Sequence, residues 1–386
     1  MKISKLYVYP VKSLRGCSVA SATLTAQGLK YDRKYMLVRV HTQPDGSVTY
    51  ESQYVGNVDV LCLFTTSFLP NDEEPHSIRI TYNEPTGAPA ATEKAEKPYI
   101  DIPVAADYKQ LETVDLIIHL AHCIGYDMGA ACEEFFTKYL GFPTKLVYVG
   151  DSTREVKGNV APNKMHVTGT TDEKQTVSWS LYIYGLVVWL LGYLVGSSEV
   201  GSTSEKDEDY RIHFSDCAPL LVTSEVSLEE FNRARKESEK EIALDMSKTR
   251  PNIVVGPSEA GDMSAFEEDF WGELTMRNLK QPKDSNEPKI LLTSNCGRCK
   301  SLNVDYDKGK QQPVSDQMLK RLSDMKRRVD PGHGYSPIFG RYGFIAKDSV
   351  DMKVRVGDLV EVSKTNEERT VFYWPGLSAG TKPKKS

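Results

Sequence analysis

The sequence has few cysteines for its length, and they do not form the pattern of a disulfide framework. Seven cysteines are spread over 386 residues, which is an odd number and a thin distribution. Secreted disulfide-rich domains instead carry dense, even sets of cysteines in short chains. This usage predicts a reducing compartment in which the thiols stay free.

Excess positive charge and a targeting segment are also lacking. The formal net charge is −5, whereas non-specific nucleic-acid binding needs a basic face that neutralises phosphates. We therefore expect a small molecule or another protein as the partner, and no nucleic acid. The opening residues, MKISKLYVYPVKS, show neither the apolar run of a signal peptide nor the pattern of a transit peptide. The expected location is cytoplasmic, with membrane or mitochondrial association left open.

The chain contains one C-x-x-C, at Cys296 and Cys299, and no second pair. A structural zinc site normally has four ligands, often from two such pairs, and a thioredoxin-type couple places its first cysteine at the start of a helix. The residues that follow Cys299, SLNVDYDKG, alternate like a strand and end in a glycine turn, which disfavours the redox couple. A packing role and ligation of another soft metal stay open.

Short stretches with alternating apolar and polar residues occur in both halves of the chain and predict β-strands. Residues 129–141, GAACEEFFTKYLG, predict a helix that stops at Gly141, and a second helix is expected after a cap at Ser227 or Thr223. With 40% hydrophobic and 26% charged residues, the chain is a globular one of about two domains. The predicted fold class is mostly β with some α, or α+β.

Basic and polar residues stand at the boundaries of several predicted strands. Lys12 and Ser13 end the first strand in YPVKS, Arg33 opens a strand in YDRKYMLV, and Arg250 precedes Pro251 in TRPNIVV. Each one separately is typical of a surface charge. Together they are the donors that a phosphate-bearing ligand requires, Arg as a planar fork and Lys as a point charge.

Four motifs occur in a fixed order: YPVKS with YDRKYMLV, SDCAPLLVTSEVSL, RPNIVV and CGRCKSLNVDYDKG; GYSPIFGRYGFIAK with VRVGDLVEV follows them. In these motifs the sequence resembles MOSC-domain proteins with an N-terminal MOSC β-barrel domain, the group that includes the mitochondrial amidoxime-reducing component. The resemblance implies an N-terminal MOSC β-barrel domain over residues 1–125, a connecting region over 126–210, a C-terminal MOSC β-barrel domain over 211–363 and a solvated tail over 364–386.

The resemblance also implies a molybdenum cofactor (Mo-molybdopterin), a pterin whose dithiolene holds the metal and whose phosphate the protein anchors. The family's cysteine ligand to molybdenum corresponds to Cys299, and its aspartate beside the metal corresponds to Asp216. The family's cofactor-binding residues correspond to Lys12, Ser13, Arg33, Arg250 and Asn252. A sulfur ligand suits such a metal. Because the cofactor is shared, Lys12 and Arg33 are expected within about 15 Å of Cys299, in a cleft between the domains.

The sequence departs from the family pattern at two places. Cys217 and Ala218 stand where a threonine and a serine follow the aspartate, and the strand YESQYVG lacks an arginine beside its glutamine. The pterin pocket is therefore expected to differ in detail. The resemblance also implies pyridoxal phosphate binding, which is associated with the family.

The reaction implied by the resemblance is the two-electron reduction of N-hydroxylated compounds, such as amidoximes and hydroxylamines. The chain contains no haem, flavin or iron–sulfur motif. An external electron donor, in the family a b-type cytochrome with its flavin reductase, is therefore expected to dock near the metal. The alternative is a MOSC-type sulfur carrier or cofactor-handling protein that uses a Cys299 persulfide.

The segment from Gln175 to Ser198 has no charged residue, and its apolar centre approaches the length of a membrane-spanning helix. A single span there would separate Lys12 from Cys299, which a shared site forbids. The remaining interpretations are an insertion that packs on the domain or lies on a membrane surface, and translated intron sequence.

Overall fold

The computed structural model describes residues 1–87, 96–165, 210–234, 243–259, 261–278 and 286–380. Within these residues the chain is mostly strand with few helices, which confirms the predicted fold class. The strands before residue 160 are β1 Lys2–Val8, β2 Cys17–Val19, β3 Ser21–Thr25, β4 Gly28–Leu29, β5 Tyr35–Thr42, β6 Val48–Ser52, β7 Phe64–Leu69, β8 Ser77–Tyr82, β9 Tyr99–Pro103, β10 Thr113–Ile118, β11 Ala121–Asp127, β12 Thr144–Tyr148 and β13 Arg154–Glu155.

The strands after residue 209 are fewer but include the longest one. They are β14 Arg211–Ile212, β15 Leu220–Ser224, β16 Ile253–Gly256, β17 Trp271–Arg277, β18 Lys289–Gly297, β19 Val304–Asp305, β20 Lys310–Gln311, β21 Ile338–Ile345, β22 Lys353–Arg355 and β23 Leu359–Thr365. The described α-helices are α1 Ala130–Leu140, α2 Glu225–Arg233, α3 Met246–Thr249 and α4 Met318–Asp324. The described 3₁₀ turns are Asp59–Leu63, Pro162–Lys164, Glu267–Phe270, Lys300–Asn303, Val314–Asp316, Pro331–His333 and Lys347–Ser349.

The two helices predicted from the sequence are present. Helix α1 ends where Gly141 adopts a left-handed backbone with φ 77°, as the sequence predicts. The predicted cap of α2 is wrong by one residue for Thr223 and by three for Ser227: Ser224 is the N-cap, and its side chain accepts a hydrogen bond from the Ser227 amide. The Ser227 hydroxyl is instead buried and donates to Glu268 at 2.7 Å.

The N-terminal half forms a five-stranded sheet in the order β10-β11-β12-β5-β6 and a three-stranded sheet in the order β7-β8-β9. Strand β10 shows the alternation that places one face in a core, since Val114, Leu116 and Ile118 are buried while the residues between them are exposed. The predicted domain boundary at residue 125 falls inside β11. Strand β12 belongs to the same sheet and ends at Tyr148, beyond that boundary.

A closed seven-stranded barrel forms the centre of the C-terminal half, in the order β16-β15-β21-β18-β17-β23-β1. Pairing of β1 with β16 closes it, with Leu6 opposite Ile253. The first strand of the chain is therefore built into the barrel of the last strands. In the same way β3 pairs with β22, with Ala22 opposite Val354. Strands from the start of the chain thus pair with strands from its end.

Residues 371–378, which we call the C-terminal strap, are packed against the protein. Phe372 and Trp374 are buried in a hydrophobic cluster with Val156 and Phe344, and Asn159 bonds the backbone of the strap on both sides of Phe372. The predicted solvated tail is wrong for these residues, because two large apolar side chains gain more from burial than the backbone loses in freedom. Residues 381–386 lie outside the described part of the chain.

Candidate functional site

One cavity of about 510 Å³ is lined by residues of both halves of the chain. Its walls include Ser52 of β6 and Ile118 of β10 on one side, and Leu220 of β15 and Tyr342 of β21 on the other. All seven residues predicted for the site line it: Lys12, Ser13, Arg33, Asp216, Arg250, Asn252 and Cys299. The fold therefore brings together side chains that the sequence places almost 290 positions apart.

Lys12 and Ser13 follow the end of β1, where the chain turns into the cavity. The Lys12 side chain is buried, and its ammonium donates to the Phe214 carbonyl at 2.8 Å and to the Asp216 carboxylate. Burial lowers the pKa of Lys12, and the adjacent carboxylate partly offsets that effect. The predicted phosphate donor is therefore already paired with Asp216, so a ligand phosphate at this point must compete with that carboxylate.

Arg33, Arg250 and Asn252 form a second group on the cavity wall. The Arg33 guanidinium donates to Asn252 Oδ1 at 3.0 Å and to Asp32, while Arg250 donates to a backbone carbonyl at 2.6 Å. Both guanidinium carbons lie over the ring of Tyr9, at 4.9 and 4.4 Å from its centroid. Two fixed cations share one aromatic ring, and among the described residues only Arg33 of the two is paired with a carboxylate, so this wall is suitable for an anion.

Four of the residues that line the cavity have a left-handed backbone although none is a glycine. Ser13 has φ 73°, Arg33 has φ 48°, His119 has φ 49° and Arg250 has φ 58°. Each such residue costs about 1 kcal/mol or more, and such residues persist where the surrounding structure fixes them, often at functional sites. The concentration of strained residues here makes this cavity the candidate functional site of the described chain.

Asp216 lies in the loop before β15 and links both walls. Its Oδ1 accepts from Lys12 and lies 3.2 Å from His119 Nε2, and 61% of the side chain is accessible because it faces the cavity. Partial burial by itself raises the pKa of Asp216. The Lys12 ammonium and His119 lower the pKa by a larger amount, so it lies well below its usual range. The carboxylate is ionised at neutral pH.

The cysteines of the C-x-x-C differ in environment. Cys299 is exposed, and its Sγ lies 3.0 Å from the Ser301 hydroxyl. Cys296 is buried at the end of β18 and receives a hydrogen bond from Arg298 at 3.2 Å. The strand predicted after Cys299 is only partly present: residues 300–303 form a single 3₁₀ turn with Cys299 as its N-cap, and Val304–Asp305 form the short strand β19.

Of the two residues that stand where the family has hydroxyl groups, one lines the cavity and the other does not. Ala218 lines the cavity and offers no hydroxyl there. Cys217 is buried beside it, and burial raises the pKa of its thiol. No cluster of three or more His, Cys, Asp or Glu side chains able to hold a metal occurs in the described ranges.

Sequence reasoning missed two residues that shape this site. His119 lies at the turn between β10 and β11 and contacts Asp216 across 97 residues of sequence. Arg154 is fully buried, and its guanidinium donates to the backbone carbonyls of His213, Ser215 and Asp216. Neither residue stands in a recognisable motif, and both contacts depend on the folded arrangement of distant loops.

The apolar segment at residues 175–198 lies outside the described residues, so its interpretation stays a prediction. Within the described ranges, no helix is long and apolar enough to cross a membrane.

Comparison with the sequence models of known domains identifies the two halves of the chain. The MOSC N-terminal beta barrel domain matches residues 1–143, and the MOSC domain matches residues 209–361. The chain therefore belongs to the MOSC-domain proteins that carry a MOSC N-terminal β-barrel domain.

Relatives of the chain include mitochondrial amidoxime-reducing components, at modest identity. Component 2 of Bos taurus is 32% identical over 157 residues, which cover 40% of this chain and 40% of that protein. Component 2 of Rattus norvegicus is 27% identical over 365 residues, 93% of this chain and 82% of that protein. Molybdenum cofactor sulfurase of Oryza sativa subsp. japonica is 22% identical over 338 residues, 84% of this chain but only 31% of that protein.

Proposed function

We propose that this protein is a molybdenum-cofactor-binding oxidoreductase that reduces N-hydroxylated compounds, such as amidoximes and hydroxylamines, with electrons from an external donor. The observation that carries the proposal is the pairing of an exposed thiol, Cys299, with an anion-binding wall in a single cavity. A thiol suits a soft metal, and the wall suits the phosphate of a pterin. The amidoxime-reducing components among the relatives support the reaction class.

The residues present fit this cofactor in their chemistry. Cys299 would supply the protein thiolate, and the lack of a cluster of metal ligands in the described ranges suits a metal whose other ligands come from the cofactor. Arg33, Arg250 and Asn252 would hold the pterin and its phosphate. When bound, the cofactor supplies a metal that can accept and pass on two electrons.

The side chains of this protein then have separate tasks. The left-handed backbones at Arg33 and Arg250 aim two cations at one region of the wall, so binding needs little reorganisation there. Asp216 and Lys12 form an ion pair in the same cavity, where a small polar substrate can be oriented by hydrogen bonds. The open position of Cys299 leaves access for an electron-donor protein, which in the family is a b-type cytochrome with its flavin reductase.

A sulfur carrier or cofactor-handling protein is the second candidate. Two observations favour it: the exposed Cys299 can carry a persulfide, and the rice molybdenum cofactor sulfurase is a relative over most of this chain. In this case the cavity would hold a cofactor or its precursor only transiently.

Metal analysis and an assay with a simple substrate separate the two candidates. Protein purified under reducing conditions is analysed for molybdenum and pterin, and benzamidoxime reduction is measured with reduced viologen as the electron donor. The oxidoreductase is expected to carry about one molybdenum per chain and to form benzamidine. A persulfide on Cys299 by mass spectrometry, without molybdenum or reduction, would establish the carrier instead.

A further inference from the structure

His119 occupies an unusual turn at the edge of the cavity. It is the first of two residues that join β10 to β11, and both His119 and Leu120 have positive φ, 49° and 63°. Two-residue hairpins of this type strongly prefer Asn or Gly at these positions. The dipeptide His-Leu is unfavourable in such a turn, so contacts with the rest of the fold must hold His119 in this backbone conformation.

Two contacts from distant segments fix this position. The indole Nε1 of Trp374, in the C-terminal strap, donates to the His119 carbonyl at 3.0 Å. Gly376 of the same strap leaves room for Leu120, since a Cβ at Gly376 would lie 2.3 Å from Leu120 Cδ1. The strap thus holds the backbone of the turn, while the imidazole faces the cavity with 31% of its side chain accessible.

The hydrogen bond to Asp216 defines the state of the ring. An ionised carboxylate only accepts hydrogen bonds, so His119 Nε2 carries the proton in this contact. Nδ1 is then the ring nitrogen that does not contact Asp216. Lys12 shares the same carboxylate oxygen and is also held by the Phe214 carbonyl, so the ion pair has a second support besides His119.

We propose that His119 is a catalytic residue that supplies the proton for the leaving oxygen of an N-hydroxylated substrate. This inference rests on the proposed reductase function. Reduction of an amidoxime consumes two electrons from the external one-electron carrier and two protons. The N–O bond breaks, one proton goes to the nitrogen of the amidine, and the other goes to the oxygen, which leaves as water. His119 delivers this second proton and regains one from solvent.

The chain offers a matched control on the same hairpin. His122 also pairs with an aspartate, at 3.1 Å from Asp115 Oδ1, but 64% of its side chain is exposed and it does not line the cavity. His122→Gln removes a histidine with the same type of partner from the same hairpin. A loss of activity that occurs in His119→Gln but not in His122→Gln therefore cannot come from a general effect on this hairpin.

The test compares His119→Gln, His119→Ala and His122→Gln with the unmodified protein. Glutamine still donates a hydrogen bond to Asp216 but does not exchange protons near neutral pH, so it preserves a merely structural role. With benzamidoxime and saturating reduced viologen, we expect kcat to fall about 100-fold or more in both His119 variants, because a general acid typically contributes this much. KM and the molybdenum and pterin contents should stay within about twofold of those of the unmodified protein. Imidazole in solution should raise the activity of His119→Ala at least tenfold.

Several results would overturn the inference. They are near-normal kcat in His119→Gln, no rescue of His119→Ala by imidazole, and loss of molybdenum or pterin from the His119 variants. Failure of the reductase function itself is seen separately in the unmodified protein, which would then lack molybdenum or fail to reduce benzamidoxime. Equal losses in His122→Gln would also contradict a specific role of His119.

Discussion

At the scale of single residues, the motifs locate the wall of the cavity but not the contacts made there. Lys12, Arg33 and Arg250 stand in short motifs that the sequence displays, so their presence at one site could be predicted. The pairing of Lys12 with Asp216 could not, because it joins positions 204 residues apart. His119 escaped notice for the same reason, and its turn lacks the Asn or Gly that normally marks such a hairpin.

Cys299 and Cys296 should respond differently to the same substitution. Cys299→Ser replaces a soft ligand by a hard hydroxyl that stays protonated, so reduction of benzamidoxime should be lost even if the pterin remains bound. Cys296→Ser keeps an acceptor for Arg298 and should cost on the order of 1 kcal/mol of stability while leaving much of the activity. Equal and complete loss in both variants would point back to a redox pair, and full activity in Cys299→Ser would remove the metal ligand.

At the scale of elements, alternation predicts the strands well because their inward faces are buried. The short run after Cys299 shows where alternation fails. Its apolar residues Leu302 and Val304 are buried, as the strand pattern expects, but a single 3₁₀ turn and a two-residue strand place them there. In such a short run both structures bury the same side chains, so periodicity does not distinguish them.

Helix α2 and the 3₁₀ turn at residues 267–270 share a buried carboxyl group that should make stability depend on pH. Burial raises the pKa of Glu268 to about 7, although the Ser227 hydroxyl bonds one oxygen at 2.7 Å. The folded state therefore keeps a proton that the unfolded chain releases above its ordinary pKa of 4.5. It follows that the free energy of unfolding falls as the pH rises from about 4.5 to about 7.

Glu268→Gln should remove this dependence, because the amide is neutral at every pH. We expect the free energy of unfolding at pH 8 to rise by about 1–3 kcal/mol relative to the unmodified protein, with a smaller difference at pH 5. Urea denaturation at the two pH values measures this difference in the free energy of unfolding. Glu229→Gln, at an exposed position of α2, is the control, and a destabilised Glu268→Gln at pH 8 would contradict the assignment.

At the scale of the whole molecule, the sequence predicts two β domains and the structure shows how they are joined. Alternation identifies β1 as a strand but does not say which strand pairs with it, so its place in the C-terminal barrel was not predictable. The strap at residues 371–378 was missed because its apolar run, VFYW at residues 371–374, is too short to show a period. Both features connect segments that are far apart in the chain, and the strap contributes Leu377 to the lining of the cavity.

Gly158 provides a test of the strap. It has φ 65°, and a Cβ there would lie 1.9 Å from the Tyr373 carbonyl oxygen, so Gly158→Ala should displace the strap. Gly46 also has positive φ, 83°, but faces open space, so Gly46→Ala measures the backbone strain alone, about 1 kcal/mol. We expect Gly158→Ala to destabilise the protein by clearly more than Gly46→Ala in thermal or urea unfolding. Equal effects would show that the strap is not held at this point.

The central claim is that Cys299 binds molybdenum in the cavity shared by both halves of the chain, and X-ray absorption at the molybdenum edge tests it most directly. The unmodified protein and Cys299→Ser are compared at equal molybdenum content. We predict that the metal in the unmodified protein has one sulfur neighbour more than the metal in Cys299→Ser, while the pterin content is similar in both. An identical number of sulfur neighbours in the two proteins, or no molybdenum in the unmodified protein, would contradict the account.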